Sequence, residues 1–380
     1  MNRTRISQAL LVLMFVVFLA GEYLSFHDVY GIPFLLAAAG AIILGRNWKA
    51  WVVAAAFVGV ALYWSSAEQK GCSFWWRSRY VVDKALGRLP YVSWDDVRYA
   101  SFNKGHCFYP EEEHRWIVDS IKLLDTEIID GHKYQQFKTD LGNFWIAESG
   151  VEGKATSEGE EPKEEGAAGQ SALAWLLFEV NVYEAYQGHE DTVLPGDTVV
   201  DAGAHVGVYT RYALKQGAAR VISIEPDPTN IVAFERNFAD EIASGKVILI
   251  KAGVWNEESD LQLQIHDHIS TRATLFSMEG IDHSITVPVR PLDDMVDDLQ
   301  LDRVDFIKMD IEGAERQALE GARRTIQRFH PRMAICTYHM VDDPVVVPEV
   351  ALNIQPDYRV HAKELEVNHI DTRPKILFFN

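Results

Sequence analysis

Cysteine is scarce and odd in number. Cys72, Cys107 and Cys336 are the only three in 380 residues, and their uneven spread fits neither a disulfide framework nor a paired zinc-ligand motif. A reducing compartment is the simpler assumption. Positive charge is short as well: 36 Lys and Arg stand against 55 Asp and Glu, a formal net charge of −19, with no compact basic and aromatic cluster to offset it. Nucleic acid is therefore not expected as a partner, because affinity for it comes largely from Lys and Arg neutralising phosphates. No internal repeat is visible. What the chain does have is apolar bulk, 48% of its residues, enough for one large or two medium cores.

Charge is nearly missing from three early stretches. Ala9 to Phe26 carries only Glu22, and Gly31 to Gly45 and Trp51 to Trp64 carry none. These read as membrane segments, each at or below the roughly 20 residues that span a bilayer core. Residues 1–66 are thus expected to be an anchor of two or three apolar helices, broken at Arg46 and Lys49, which would be costly mid-bilayer. A cleaved signal peptide is the competing reading of the first run, after the basic leader MNRTR. Residues 67–125 form an aromatic juxtamembrane connection, in which Trp75, Trp76, Arg77 and Arg79 suit either a membrane surface or packing on the domain.

Residues 126–190 read as a small β and helix extension. Alternation around FKTDLGNFWIA predicts strands, with Phe144 and Trp145 as core. The acidic stretch 151–170 has too little apolar surface to order itself and is expected to be a mobile loop. After it, Trp175, Phe178, Val182 and Tyr186 form one helical stripe. From 191 to 380 strand and helix alternate. Strands are predicted near 198–202, 220–225, 246–251, 304–309 and 332–338, and helices near 207–216, 228–241, 314–328 and 344–353. Such alternation implies an α/β fold with a doubly wound, mainly parallel Rossmann-like sheet and a ligand at the carboxyl ends of its strands.

The stretch VVDAGAHVGVYTRYAL, Val199 to Leu214, reads as strand, tight loop and helix. Gly203 and Gly207 let the backbone turn sharply and approach a ligand, with Ala204 between them. The order Asp201-x-Gly203-x-x-x-Gly207 is not the G-x-G-x-x-G that admits a pyrophosphate. About 24 residues past Asp201 a second apolar run ends in Glu225 and Pro226, where a carboxylate can accept both hydroxyls of a ribose. Together they point to a nucleoside.

The D-x-G-x-x-x-G loop resembles that of class I S-adenosylmethionine-dependent methyltransferases. With EPDPTN at Glu225 to Asn230, PLDDM at Pro291 to Met295 and DFIKMDIEGAE at Asp305 to Glu315, the chain resembles the FkbM family from about Thr139 to Tyr338. The resemblance implies S-adenosylmethionine as cofactor, bound by Asp201, Gly203, Ala204, Gly207, Glu225 and Pro226, and an antiparallel edge strand at KILFF, Lys375 to Phe379. It also implies methylation of a hydroxyl, and with the anchor the acceptor is expected to be a sugar, a glycan or lipid-linked hydroxyl or a small metabolite near the membrane. Because that cofactor is cytosolic, the carboxy-terminal domain is expected on the cytoplasmic side of the membrane. Loop arginines and lysines do not choose between orientations.

A hydroxyl acceptor must lose a proton, so a general base at a strand end would help by about 10²- to 10⁴-fold. Asp310 and Glu312 after the fourth core strand, and His339 after the fifth, are the candidates. Helix capping is the plain alternative for the two carboxylates. Asp293 is read as part of a turn. His266, Asp267 and His268 are metal ligands by type, but adjacent strand residues face opposite sides, so no metal is expected. The rival class of function is a membrane-anchored cofactor-binding or scaffold protein without turnover.

Overall fold

The computed structural model describes residues 81, 84–87, 89–95, 97, 111–148, 167–182, 184–188, 192–265, 273–274, 283–362, 365–367 and 372–380. The unit treated below is formed by Asp83–Gly105 and Tyr109–Asn380. Among the described residues no helix is long and apolar enough to cross a membrane. The apolar runs between Ala9 and Trp64, and with them the expected anchor, lie outside the described residues, as do Trp75 to Arg79, the acidic loop up to residue 166, and His266 to His268.

Helix α1 (Glu111–Ser120) leads into an antiparallel meander of β1 (Lys122–Ile129), β2 (His132–Thr139) and β3 (Gly142–Ala147). Phe144 and Trp145 are buried in it. Helix α2 (Ala167–Leu177) follows, so the last four residues of the expected mobile loop are helical. The stripe through Tyr186 is not one helix. A π-turn over Phe178–Val182 ends it, and Tyr186 lies beyond, still 3% exposed.

The main sheet is built from β4 (Thr198–Ala202), β5 (Arg220–Ile224), β6 (Val247–Ile250), β11 (Phe306–Met309), β12 (Arg332–Cys336), β13 (Val360–Ala362) and β16 (Ile376–Phe379), in the order β13-β16-β12-β11-β4-β5-β6. The five strands from β12 to β6 are parallel. Runs such as TVVDA and FIKM are buried on both faces, as strands covered by helices on each side must be. The expectation of KILFF at the sheet edge is corrected. β16 sits between β12 and β13, antiparallel to both, so its buried backbone N–H and C=O groups find partners along both edges. The short β13 takes the edge instead.

The helices of this half are α3 (Val208–Lys215), α4 (Pro228–Asn237), α5 (Ala239–Ala243), α6 (Leu292–Asp298), α7 (Glu315–Glu320), α8 (Arg323–Phe329) and α9 (Asp343–Ile354). Asp227 caps α4 by accepting from the Thr229 N–H at 2.7 Å, with Pro228 as first residue. The single helix predicted over 314–328 is two. A Cβ on Gly321 would lie 2.0 Å from the Trp255 carbonyl oxygen, so the chain bends where it meets that backbone. The second piece is capped from outside: Asp293 Oδ2 accepts from Arg324 N at 2.9 Å and Oδ1 from Thr325 N at 2.7 Å. Asp293 therefore belongs to a helix, α6, and serves as the cap of α8 rather than as part of a turn.

A second sheet, β7 (Gly253–Val254), β8 (Ser259–Ile265), β9 (Ala273–Thr274) and β10 (His283–Arg290), has the order β7-β10-β8-β9 and was not among the predicted strands. A last pair, β14 (Leu365–Val367) and β15 (Thr372–Pro374), is antiparallel.

Candidate active site

The loop after β4 is tied to the end of β5. The N–H groups of Gly203 and Ala204 both donate to Ile224 O at 3.0 Å, and Gly207 N donates to Ala204 O at 2.8 Å. Gly203 and Gly207 have φ of 76° and 91°. Their need for no side chain comes from the protein itself. A Cβ on Gly203 would sit 1.9 Å from the Asp310 carbonyl oxygen, and one on Gly207 would sit 2.1 Å from the Phe238 ring, which stacks on Phe234. Asn237 secures the loop from below, donating to Val206 O at 2.9 Å and to Trp145 O at 3.0 Å.

Glu225 follows β5 and is 5% exposed. Its Oε2 accepts from His205 N at 2.8 Å and its Oε1 from Asp227 N at 3.0 Å. These bonds fix the carboxylate between loop and strand while leaving lone pairs for further donors. Burial, followed by the charge of Asp227, pushes its pKa up to about 7 against three opposing hydrogen bonds. Ala204 is buried and Pro226 half-buried beside it.

Asp201, expected among the cofactor-binding residues, does not stand in the loop. It lies inside β4, fully buried, with Oδ2 accepting from Thr210 Oγ1 at 2.7 Å and Oδ1 3.2 Å from Lys308 Nζ. Lys308 is its register partner in β11 and also donates to Gly203 O at 2.8 Å. The lysine thus neutralises the buried carboxylate and pins the loop. Burial would lower its pKa, but Asp201 and Asp310 outweigh that and raise it.

Asp310, at the end of β11, is brought against residues far away in sequence. Tyr186 OH donates to its Oδ2 at 2.6 Å and Tyr338 OH to its Oδ1 at 3.2 Å. His339 Nε2 lies 3.4 Å from Asp310 Oδ1 and 3.6 Å from Glu312 Oε2, and its Nδ1 is 2.9 Å from Oε1 of the fully buried Glu315. Glu312 holds φ of 53° beside Gly313 at 100°. The structure therefore joins the three expected residues, Asp310, Glu312 and His339. It adds Glu315, which the sequence already placed in the same acidic motif, Tyr186, Tyr338 and Lys308, a lysine inside an apolar strand.

Burial works against charge on Asp310, yet the adjacent His339 imidazole and the charge of Lys308 hold its carboxyl well below the usual range. For His339 burial lowers the pKa, but Glu315 and Asp310 lift it well above the ordinary value. The expectation of no metal was argued at His266 to His268. At a different place, Asp310, Glu315 and His339 each put one ligand atom within 4.8 Å of the others.

A doubly wound sheet with a glycine loop, a buried acid one strand along and a charged cluster at the next strand end defines a Rossmann-like domain with its candidate site at the carboxyl ends of the strands. Residues 201–359 match the family described as the methyltransferase FkbM domain. Among curated relatives, Methyltransferase 1 of Beauveria bassiana is 29% identical over 148 residues, covering 33% of this chain and 59% of the relative. Hexuronic acid methyltransferase AglP of Haloferax volcanii is 24% identical over 148 residues, covering 39% of this chain and 58% of the relative. The match thus spans under two thirds of either relative. A solved structure, methyltransferase FkbM from Methylobacillus flagellatus KT, is 24% identical with a TM-score of 0.38, covering 56% of this chain and 54% of that one.

Proposed function

We propose that this protein is an S-adenosylmethionine-dependent O-methyltransferase, held at a membrane by residues 1–66 with its catalytic domain on the cytoplasmic side. The observation that carries the reading is the placement of Glu225, the Gly203–Gly207 loop and the Asp310 cluster at the ends of the neighbouring strands β5, β4 and β11. Glu225 takes the ribose hydroxyls and the loop passes under the amino-acid end. The sulfonium methyl is then directed toward Asp310, Glu312 and His339.

In the reaction the acceptor hydroxyl oxygen attacks the methyl carbon. The carbon–sulfur bond breaks with its electron pair going to sulfur, leaving S-adenosylhomocysteine, and the hydroxyl proton passes to a carboxylate or water. The donor is already activated, so alignment is the larger task. Asp310, oriented by Tyr186 and Tyr338, accepts the hydroxyl hydrogen bond. Glu312, the more exposed carboxylate, takes the proton. The acceptor class is a sugar or lipid-linked hydroxyl or a small metabolite. The hexuronic acid named for the relative from Haloferax volcanii supports the sugar reading, and anchoring raises the local concentration of a membrane-bound acceptor.

Calorimetric titration of the full chain with S-adenosylhomocysteine tests the cofactor, and absence of heat or of a thermal shift at millimolar ligand refutes it. For the acceptor end, Asp310→Asn, Glu312→Gln and His339→Gln should keep cofactor affinity. At least one of them should lose methyl transfer by about 10²-fold or more, read as radiolabelled methyl incorporation. Full activity in all three would reduce the mechanism to alignment of an activated donor.

A further inference from the structure

The imidazole of His339 is held on one side and left open on the other. Its Nδ1 pairs with Glu315 Oε1 at 2.9 Å, and the same oxygen accepts from Ile311 N at 3.0 Å, so Glu315 is itself fixed to the loop after β11. Nε2 belongs to a side chain only 7% exposed and has no hydrogen-bond partner. It faces Asp310 Oδ1 at 3.4 Å and Glu312 Oε2 at 3.6 Å, ion-pair distances without hydrogen-bond alignment. Oε2 of Glu315 is unpartnered as well. A nitrogen buried this deeply costs stability unless something occupies its lone pair or takes its proton.

Spacing decides what fits. A cation about 2.1 Å from each of its ligands, at tetrahedral to octahedral angles, keeps neighbouring ligand atoms about 3.0–3.5 Å apart. The two separations from Nε2, 3.4 Å to Asp310 and 3.6 Å to Glu312, are close to that size, and three carboxylates surround the one imidazole. We propose that Asp310, Glu312 and His339 Nε2 bind a divalent cation, with Glu315 as the carboxylate that orients the imidazole from behind. A carboxylate placed on the far nitrogen of a ligating histidine is the usual way to fix its tautomer. The mixed imidazole and carboxylate set favours Mn2+ or Zn2+ over Mg2+ or Ca2+.

The consequence for catalysis rests on the methyl-transfer reading. A cation held there would take the acceptor hydroxyl as a further ligand and make its proton easier to lose to water before the oxygen attacks the methyl carbon. Asp310, Glu312 and His339 then act as ligands, and no side chain has to be a strong base.

Mn2+ titration of the chelator-stripped full chain, followed by loss of the free-ion electron paramagnetic resonance signal, tests the site without any activity. One Mn2+ per chain is expected, displaced by Zn2+, with a 14N modulation in the pulsed spectrum of the wild-type protein from the imidazole. His339→Gln and Asp310→Asn should weaken binding at least 10-fold, and Glu315→Gln by about 10- to 100-fold, with circular dichroism and S-adenosylhomocysteine affinity reporting that each variant is folded. No saturable uptake at millimolar metal, uptake without 14N coupling, or unchanged affinity in folded His339→Gln overturns the proposal. If a variant does not fold, the wild-type 14N signal decides alone. A chain that binds S-adenosylhomocysteine but no metal sinks the cation site only. A chain that binds Mn2+ with 14N coupling but no S-adenosylhomocysteine supports the cation site and sinks the methyl-transfer reading.

Discussion

Glu225 meets two opposed demands: its place under the loop requires burial, and its proposed partners, two hydroxyls, require charge. Its pKa is raised from an ordinary 4.5 to about 7, so between those values the folded chain keeps a proton that the unfolded chain has released. The stability it contributes is complete below pH 4.5 and falls away as pH rises to about 7. Ribose hydroxyls donate to the charged form, so ligand binding should release a proton and affinity should rise from pH 6 to 8. Calorimetry in two buffers of different ionisation enthalpy reads that proton, and a flat affinity over the range would refute the assignment. Glu225→Gln should melt higher than wild type at pH 8 yet bind S-adenosylhomocysteine at least 10-fold more weakly, since a charge-assisted hydrogen bond is worth about 1.5–3 kcal/mol.

Lys308 and Asp201 give a second test at this scale. Both are almost without exposure, and each is the other's counter-charge. Lys308→Met leaves Asp201 buried and uncompensated and should cost about 3–5 kcal/mol in denaturant unfolding. The double variant Asp201→Asn with Lys308→Met should cost less than the sum of the two single changes. Strict additivity would show that the pair does not interact.

Among the elements, α6, α7 and α8 behave as one joint. Asp293 of α6 caps α8, and Gly321 lets the turn between α7 and α8 pass the Trp255 carbonyl. Asp293→Ala should cost about 1 kcal/mol, the usual value of a cap. Gly321→Ala should cost about 1–3 kcal/mol or more by overpacking against backbone. Neither should alter S-adenosylhomocysteine affinity, because neither residue touches the loop or Glu225. Urea melts with a binding control decide it, and an equal loss of affinity would point to a direct link between this joint and the site.

At the scale of the whole molecule the open matter is how the domain reaches its acceptor. If residues 1–66 are the anchor, their removal should shift the protein from the membrane pellet to the soluble fraction with cofactor affinity unchanged. Retention in the pellet after carbonate extraction would move the attachment to residues 67–125. The exposed Trp94 and Trp116, at 56% and 63%, make that outcome physically reasonable.

The sequence by itself determined the strand–loop–helix at Val199, the acid at the end of the next strand, and the alternation that makes the sheet parallel. These follow from local rules: runs of apolar residues, glycines where φ must be positive, and carboxylates just past a strand. It also brought Asp310 and Glu312 together, since they are two residues apart. Side-chain direction and strand neighbourhood were not local. That Asp201 turns inward to Lys308 depends on β4 lying beside β11, 107 residues later. Tyr186 meets Asp310 across 124 residues. The inner position of β16 depends on β13 closing the edge. His339 acquires its three carboxylates because β11 and β12 are parallel neighbours whose ends open on the same side. Parallel pairing needs long crossovers, so the groups that share charge in this site are distant in the chain, and only packing of the finished sheet sets which of them touch.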